Sequence, residues 1–124
     1  MKRILIVTAT TGYQTRMFAD AARTLGMEPI LATDRCHVLE DPWGDHAIAV
    51  RFDDPHSAAE AIAQAGPFDG VIAVADRPTL IASLAAQRLG IPYNSPSSVE
   101  GARNKFLARQ RFQAAGLGAC SFFC

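Results

Sequence analysis

Four cationic side chains lie close together near the end of this 124-residue chain and could contact a phosphate. They fall within nine residues, and no acidic residue follows Glu100: Arg103, Lys105, Arg109 and Arg111. Residues 101–124 therefore carry a formal charge of +4, although the whole chain is neutral. Charge runs on helices commonly form a solvated face. Spacing alone leaves both interpretations open, a solvated face and a phosphate-binding site.

Two short polar segments, 8–15 and 75–79, offer further candidate binding residues. The first contains Thr10, Thr11 and Gly12 before a predicted helix, and hydroxyls beside a helix N-terminus favour anions. The second contains Asp76 and Arg77, and an arginine can hold a carboxylate through two hydrogen bonds. Alternatively, Thr11 or Asp76 simply caps its helix. Only the location of a substrate site is predicted here, not a specific contact.

Other chemistries find little support in the sequence. Cys36 and His37 are the only adjacent cysteine–histidine pair, and no recurrent ligand spacing predicts a metal site. The segment after the first predicted strand has one glycine where a dinucleotide fingerprint has three, so Asp34 more simply caps or turns the chain. No Ser/His/Asp arrangement stands out, and we assign no catalytic residue. The three histidines are interpreted as structural: His37, His46 and His56.

Alternating strands and helices must position these residues. Apolar runs predict strands at 3–8, 29–33, 47–52 and 71–75. Helices are predicted after the first, third and fourth strands, and an irregular connection at 35–45 joins the second strand to the third. The buried face of the first helix is predicted to be Phe18, Ala21, Ala22 and Leu25. Such alternation predicts an α/β fold of three layers, a parallel sheet of about four strands with helices on both faces. Right-handed crossovers favour the strand order 3-2-1-4, a Rossmann-like half in which ligands bind beyond the carboxyl ends of the strands.

A helix after the sheet domain carries the four cations. Ser95 and Pro96 are typical of a helix start, although Ser97 and Glu100 also have capping-box spacing. Gly116 fits the left-handed residue that closes a helix. We therefore predict a domain at 1–95, an exit helix at 96–117 and a short tail at 118–124.

Composition excludes several classes of protein. Hydrophobic residues make up 49% and charged residues 19%, as in a soluble globular domain. The balance of 12 basic and 12 acidic residues argues against a nucleic-acid partner. The first apolar run is too short to span a membrane and lacks the features of a signal peptide. An odd count of three cysteines predicts reduced thiols, and we expect a cytoplasmic protein.

Two strings in the last third of the chain resemble the ATP-grasp ligases. They are G-I-P-Y-N-S-P-S-S-V-E-G-A-R-N-K at 90–105 and R-Q-R-F-Q-A-A-G-L at 109–117. They are similar to the junction at which the N-terminal (pre-ATP-grasp) domain of those enzymes leads into the nucleotide-binding lobes. Relatives include carboxylate–amine ligases, biotin carboxylase and carbamoyl-phosphate synthetase. Lys105 occupies the position of the family's nucleotide-binding lysine, and Asn104 replaces the more frequent aspartate before it.

The resemblance implies a function for a complete enzyme. ATP and Mg²⁺ would activate a small-molecule carboxylate as an acyl-phosphate, which an amine or similar nucleophile then captures. Lys105 would contact ATP, and the two polar loops would border the substrate. The resemblance places the magnesium ligands in a later lobe that these 124 residues do not contain. The chain alone is therefore expected to be inactive.

The final residues depart from the family pattern and leave alternatives open. G-A-C-S-F-F-C at 118–124 stands where a proline and a strand are expected. This ending fits a truncated or frameshifted reading frame, and a naturally short protein fits it equally well. The alternatives are a non-catalytic nucleotide- or anion-binding module, a dimerisation unit, and a subunit that docks on separate lobes. Self-association is expected through a C-terminal apolar surface that includes Phe106, Phe122 and Phe123.

Overall fold

A computed structural model of the protein describes residues 1–9, 13–34 and 47–118. Four parallel strands form one sheet in the order β3-β2-β1-β4, as predicted. The strands are β1 (Arg3–Thr8), β2 (Glu28–Thr33), β3 (Ala47–Ala49) and β4 (Gly70–Val74). The helices are α1 (Tyr13–Thr24), α2 (Pro55–Ala65), α3 (Thr79–Leu89), α4 (Pro96–Arg103) and α5 (Lys105–Ala114). The α/β class and the strand order are confirmed.

Alternation of side chains along the central strand builds a core on both faces of the sheet. Leu5 and Val7 of β1 pack in the larger cluster with residues of α2 and α3. Ile6, between them, packs on the other face with Ala19 of α1. Successive side chains of a strand point to opposite faces, so an apolar run is the expected sequence of a strand covered on both sides. The result is the predicted three-layer arrangement.

The predicted buried face of α1 is only partly right. Ala22 is buried as predicted, but Phe18 is 42% exposed, Leu25 is 72% exposed and Ala21 is exposed, and Thr15 and Ala19 are buried instead. The Thr15 hydroxyl lies 3.0 Å from the Thr8 hydroxyl at the end of β1, which satisfies a polar group inside the interface. Small residues on this side let α1 lie close to the sheet. The larger apolar side chains of the predicted stripe therefore remain outside.

Local signals set most helix ends as predicted. The Asp54 carboxylate accepts a hydrogen bond from the Ser57 amide and caps α2, whose first residue is Pro55. Ser95 caps α4 in the same way through the Ser98 amide. Three glycines with positive φ follow helices: Gly26, Gly90 and Gly116. Of the two helix starts considered near residue 96, the structure uses Ser95.

Two predicted spans differ from the structure by more than one residue at an end. Strand β3 ends at Ala49 rather than at 52, although the Val50 amide still donates to the Thr33 carbonyl. The predicted exit helix is broken into α4 and α5 at Asn104, whose backbone is extended (φ −108°, ψ 105°). The Asn104 side chain accepts from the Leu107 amide and so starts a new helix. The predicted domain boundaries at 95 and 117 stay predictions, and residues 119–124 lie outside the described part of the chain.

Paired leucine substitutions on α1 test which face is buried. Ala19→Leu is expected to lower the free energy of unfolding by about 1–3 kcal/mol, because Ala19 has no room for a larger side chain. Ala21→Leu makes the same change at an exposed position and is expected to alter the free energy of unfolding by less than about 0.5 kcal/mol. Urea denaturation measures both values. Equal destabilisation by the two substitutions would contradict the observed face.

Candidate functional site

A cavity of about 610 Å³ opens where β4 passes into α3 and where α4 meets α5. The described residues that line it come from these three helices and from the segments before α3 and α4: Asp76, Thr79, Tyr93, Asn94, Ser98, Val99, Ala102, Arg103 and Lys105. Because β4 is the edge strand beside β1, the cavity lies near the carboxyl end of β4, next to the central strand β1. This is the edge at which doubly wound sheets bind ligands.

Helix α3 holds α4 in place through the segment that precedes α4. The buried Ser83 hydroxyl of α3 donates to the Asn94 carbonyl at 2.6 Å. Tyr93, the residue before Asn94, lines the cavity, and its partial burial raises the pKa of its phenol. Val99 of α4 is 7% exposed, so this helix also buries an apolar side chain. The wall of the cavity formed by α4 is therefore tied to α3 by a hydrogen bond next to Tyr93.

Asp76 enters the cavity from a turn with unusual backbone geometry. The preceding residue, Ala75, has φ of 75°, a left-handed conformation that is strained for alanine. The Asp76 carbonyl accepts hydrogen bonds from the amide and hydroxyl of Thr79. The first residue before α3 is Pro78, and no side-chain hydrogen bond caps this helix. The alternative that the Asp76 carboxylate only caps α3 is therefore wrong.

The predicted partner of Asp76 lies elsewhere. The Arg77 guanidinium lies over the Phe52 ring at 5.3 Å from its centroid, and Arg77 is not among the described residues that line the cavity. Near it, the Arg51 guanidinium lowers the pKa of the Asp53 carboxyl, by its hydrogen bond first and its charge as well. Arg77 thus links the loop after β4 to the loop after β3. Its predicted role as a carboxylate ligand stays a prediction.

The four cations of the C-terminal segment divide into separate groups. Arg103 ends α4 and Lys105 begins α5, and both line the cavity. Arg111 instead donates two hydrogen bonds to Ser97 of α4. Arg109 is exposed and is not among the described lining residues. The structure therefore places three of the candidates, Asp76, Arg103 and Lys105, around one cavity, together with Thr79 and Tyr93.

Three of the predicted site residues, Thr10, Thr11 and Gly12, lie outside the described residues, and so do Cys36 and His37. Within the part of the chain that the structure describes, no group of three or more His, Cys, Asp or Glu side chains could hold a metal ion. Phe106, Phe112 and Leu117 are 36%, 48% and 58% exposed. This exposure supports the predicted C-terminal apolar surface, and its use in self-association stays a prediction. No described helix is long and apolar enough to cross a membrane.

The Asn104 cap is expected to control the start of α5, on which Lys105 sits. Asn104→Ala removes the acceptor of the Leu107 amide and should destabilise the first turn of α5 by about 1 kcal/mol. This loss corresponds to amide exchange at Leu107 that is roughly fivefold faster. Asn104→Asp keeps an acceptor and should retain slow exchange. Exchange measured by NMR compares the two variants. Equal exchange rates in both would show that the side chain does not fix this turn.

Comparison with known proteins agrees with this fold. Residues 19–93 match the model of the ATP-grasp N-terminal domain family. The ATP-grasp enzyme fsqD of Aspergillus fumigatus is 32% identical over an alignment of 101 positions, which covers 73% of this chain and 18% of that protein. The chain thus spans less than a fifth of the length of this curated relative.

Two solved structures share the fold at low sequence identity. The L-amino acid ligase of Bacillus licheniformis superposes with a TM-score of 0.78 and 22% identity, over 96% of this chain and 31% of that one. Phosphoribosylglycinamide synthetase of Anaerococcus prevotii gives a TM-score of 0.74 and 16% identity, over 93% and 29% of the two chains. With the family match covering more than half of the chain, the protein belongs to the ATP-grasp N-terminal domain family.

Proposed function

We propose that this chain serves as the N-terminal, substrate-side domain of an ATP-grasp ligase and contributes cationic contacts to the phosphates of ATP. In the complete enzyme, ATP would activate a small carboxylate for attack by an amine or a similar nucleophile. The named solved relatives are an L-amino acid ligase and phosphoribosylglycinamide synthetase, which supports this class of reaction. The chain covers about a third of each, so the full activity would require further domains.

The observation that carries the proposal is the charge arrangement at the α4–α5 junction. Lys105 is the first residue of α5, and the first turn of this helix contains no acidic residue. A helix N-terminus is already positive in potential, so a lysine there is unfavourably placed and Arg103 beside it adds to the repulsion. An anion in the cavity would relieve this arrangement and would also meet the N-terminus of α3, which no side chain caps. A triphosphate has the required charge.

The described residues fit the phosphates of ATP better than its metal. Arg103 and Lys105 can donate to phosphate oxygens, and Asp76 opposite them could orient a hydroxyl or an amine of the second substrate. Metal ions bound to ATP in phosphoryl transfer neutralise charge on the phosphates. We propose that the ligands for Mg²⁺ come from outside these residues, since the described part holds no suitable cluster.

Loss of the Lys105 charge is expected to weaken ATP binding. In an NMR titration of the 124-residue chain, ATP should shift the amides of Thr79, Asn104 and Lys105, with weak affinity. Lys105→Ala should weaken the affinity for ATP about tenfold, which corresponds to the loss of one charge-assisted contact of about 1.4 kcal/mol. Arg109→Ala removes a cation from the same helix outside the cavity and should have little effect. Equal losses in the two variants would indicate only general attraction to a basic helix.

The 124 residues alone are expected to show no ligase turnover. Purified chain, ATP, Mg²⁺ and a mixture of amino acids should release no phosphate above the rate without protein. The reason is that solved ligases with this fold use about three times as much chain. Phosphate release that disappears in Lys105→Ala would contradict this expectation, and the variant excludes a contaminating ATPase as its source.

A further inference from the structure

We infer that Arg111 latches α5 onto α4 by crossing over Gly101, and that this latch positions Lys105 in the cavity. The effect on ATP rests on the function proposed above, whereas the effect on the position of α5 does not. Arg111 and Gly101 would be positioning residues, because neither lines the cavity among the described residues. We call the contact between Arg111, Gly101 and Ser97 the Arg111 latch.

The contacts of the latch are specific. The Arg111 Nη1 donates to the Ser97 carbonyl at 2.7 Å, and Nη2 lies 3.3 Å from the Ser97 hydroxyl. Ser97 lies in the first turn of α4, and Arg111 lies in the last turn of α5. The two hydrogen bonds therefore join parts of the helices that are 14 residues apart in sequence. Together with the Asn104 link, they hold α5 at two points.

Glycine at position 101 makes the crossing possible. A Cβ atom built at Gly101 would collide with Arg111 Nη1 and would lie 3.0 Å from Cζ. Gly101 is nevertheless inside α4, where glycine is a poor helix former and alanine is the best. The missing side chain of Gly101 therefore leaves a space above the α4 backbone, and the Arg111 guanidinium occupies it. The guanidinium is the flexible end of its side chain, so an added methyl group would displace it without disturbing α4.

The position of Lys105 depends on the angle between the helices. Arg103 and Lys105 are on opposite sides of the single residue that separates α4 from α5. None of the residues of α5 is buried, so the core does not fix its direction. Arg111 lies six residues after Lys105, roughly 9 Å along the helix axis, far enough to set that direction. Release of the latch should let α5 turn about Asn104, which would redirect the Lys105 side chain relative to Arg103 and Asp76 even though its backbone lies beside the pivot.

Two substitutions break the latch from opposite sides. Gly101→Ala adds the methyl group that displaces the guanidinium, and Arg111→Met keeps an apolar stem but removes both hydrogen bonds. Arg111→Lys, which can donate to the Ser97 carbonyl with one ammonium, should restore part of the effect. Arg109→Met is the matched control, since it removes a cation from α5 that takes no part in the latch. Residual dipolar couplings report the orientation of α5 relative to the sheet, and an ATP titration reports affinity.

We expect Gly101→Ala and Arg111→Met to change the orientation of α5 and to weaken ATP binding about fivefold. The thermal midpoint should be unchanged or, for Gly101→Ala, raised, because alanine favours the helix. If Gly101 had only a structural role, Gly101→Ala would instead lower the thermal midpoint and leave the affinity for ATP unchanged. In the Arg111→Met background, Gly101→Ala should cause no further change in the orientation of α5 or in the affinity for ATP, since the latch is already lost.

Each outcome decides the inference. An unchanged orientation of α5 in both variants would overturn it, and so would a changed orientation with unchanged ATP affinity. Additive effects of Gly101→Ala and Arg111→Met would also overturn it, because they would act independently. If the unaltered chain binds no ATP, the proposed function fails. The couplings, which require no ligand, would then still show whether Arg111 fixes the position of Lys105.

Discussion

Burial of the central strand β1 on both faces and both edges is the constraint on which the rest of the structure depends. Leu5 and Val7 are 0% exposed and Ile6 is 1% exposed, and β1 pairs with β2 on one edge and β4 on the other. Strand β1 runs parallel to both neighbours, and α1 crosses back over the sheet between β1 and β2. The carboxyl ends of all four strands then lie at the same end of the sheet. The loop after β4 reaches the cavity for this reason.

The sequence predicted the architecture because its strongest signals act at short range and agree with one another. Apolar runs marked the four strands, and Ser95-Pro96 marked a helix start that the structure uses. The buried side of α1 could not be predicted by counting apolar residues. Thr15 is buried because its hydroxyl meets Thr8 across the interface, and that pairing exists only after the sheet has formed. Tertiary contact here outweighed the stripe that Phe18 and Leu25 suggested.

The candidate site was predictable in location but only partly in its contacts. Strand order places residue 76 near the start of the C-terminal helices, and Asp76 and Lys105 do line one cavity. Order in a sheet does not specify side-chain direction, however, and Arg77 turns away to the Phe52 ring. The helix break was also missed, because an asparagine within an otherwise helical pattern gives little warning. Its side chain can cap a new helix through the Leu107 amide. The division of the cations between cavity and latch follows from that break.

Helix α5 is ordered mainly by polar contacts at its start and near its end, and this has a consequence for what it can do. Exposed hydrogen bonds are individually weak, and a helix of ten residues is marginal without tertiary packing. Elements of this kind belong to the least stable parts of a fold, from which ligand-binding segments are commonly drawn. The same weakness keeps exposed the apolar side chains of Phe106 and Phe112, which the domain core does not cover. A segment that must meet a nucleotide on one side and further protein on the other is better built on the edge of the core than within it. The break at Asn104 achieves that separation by ending the anchored helix α4 before the cationic residue Lys105 begins α5.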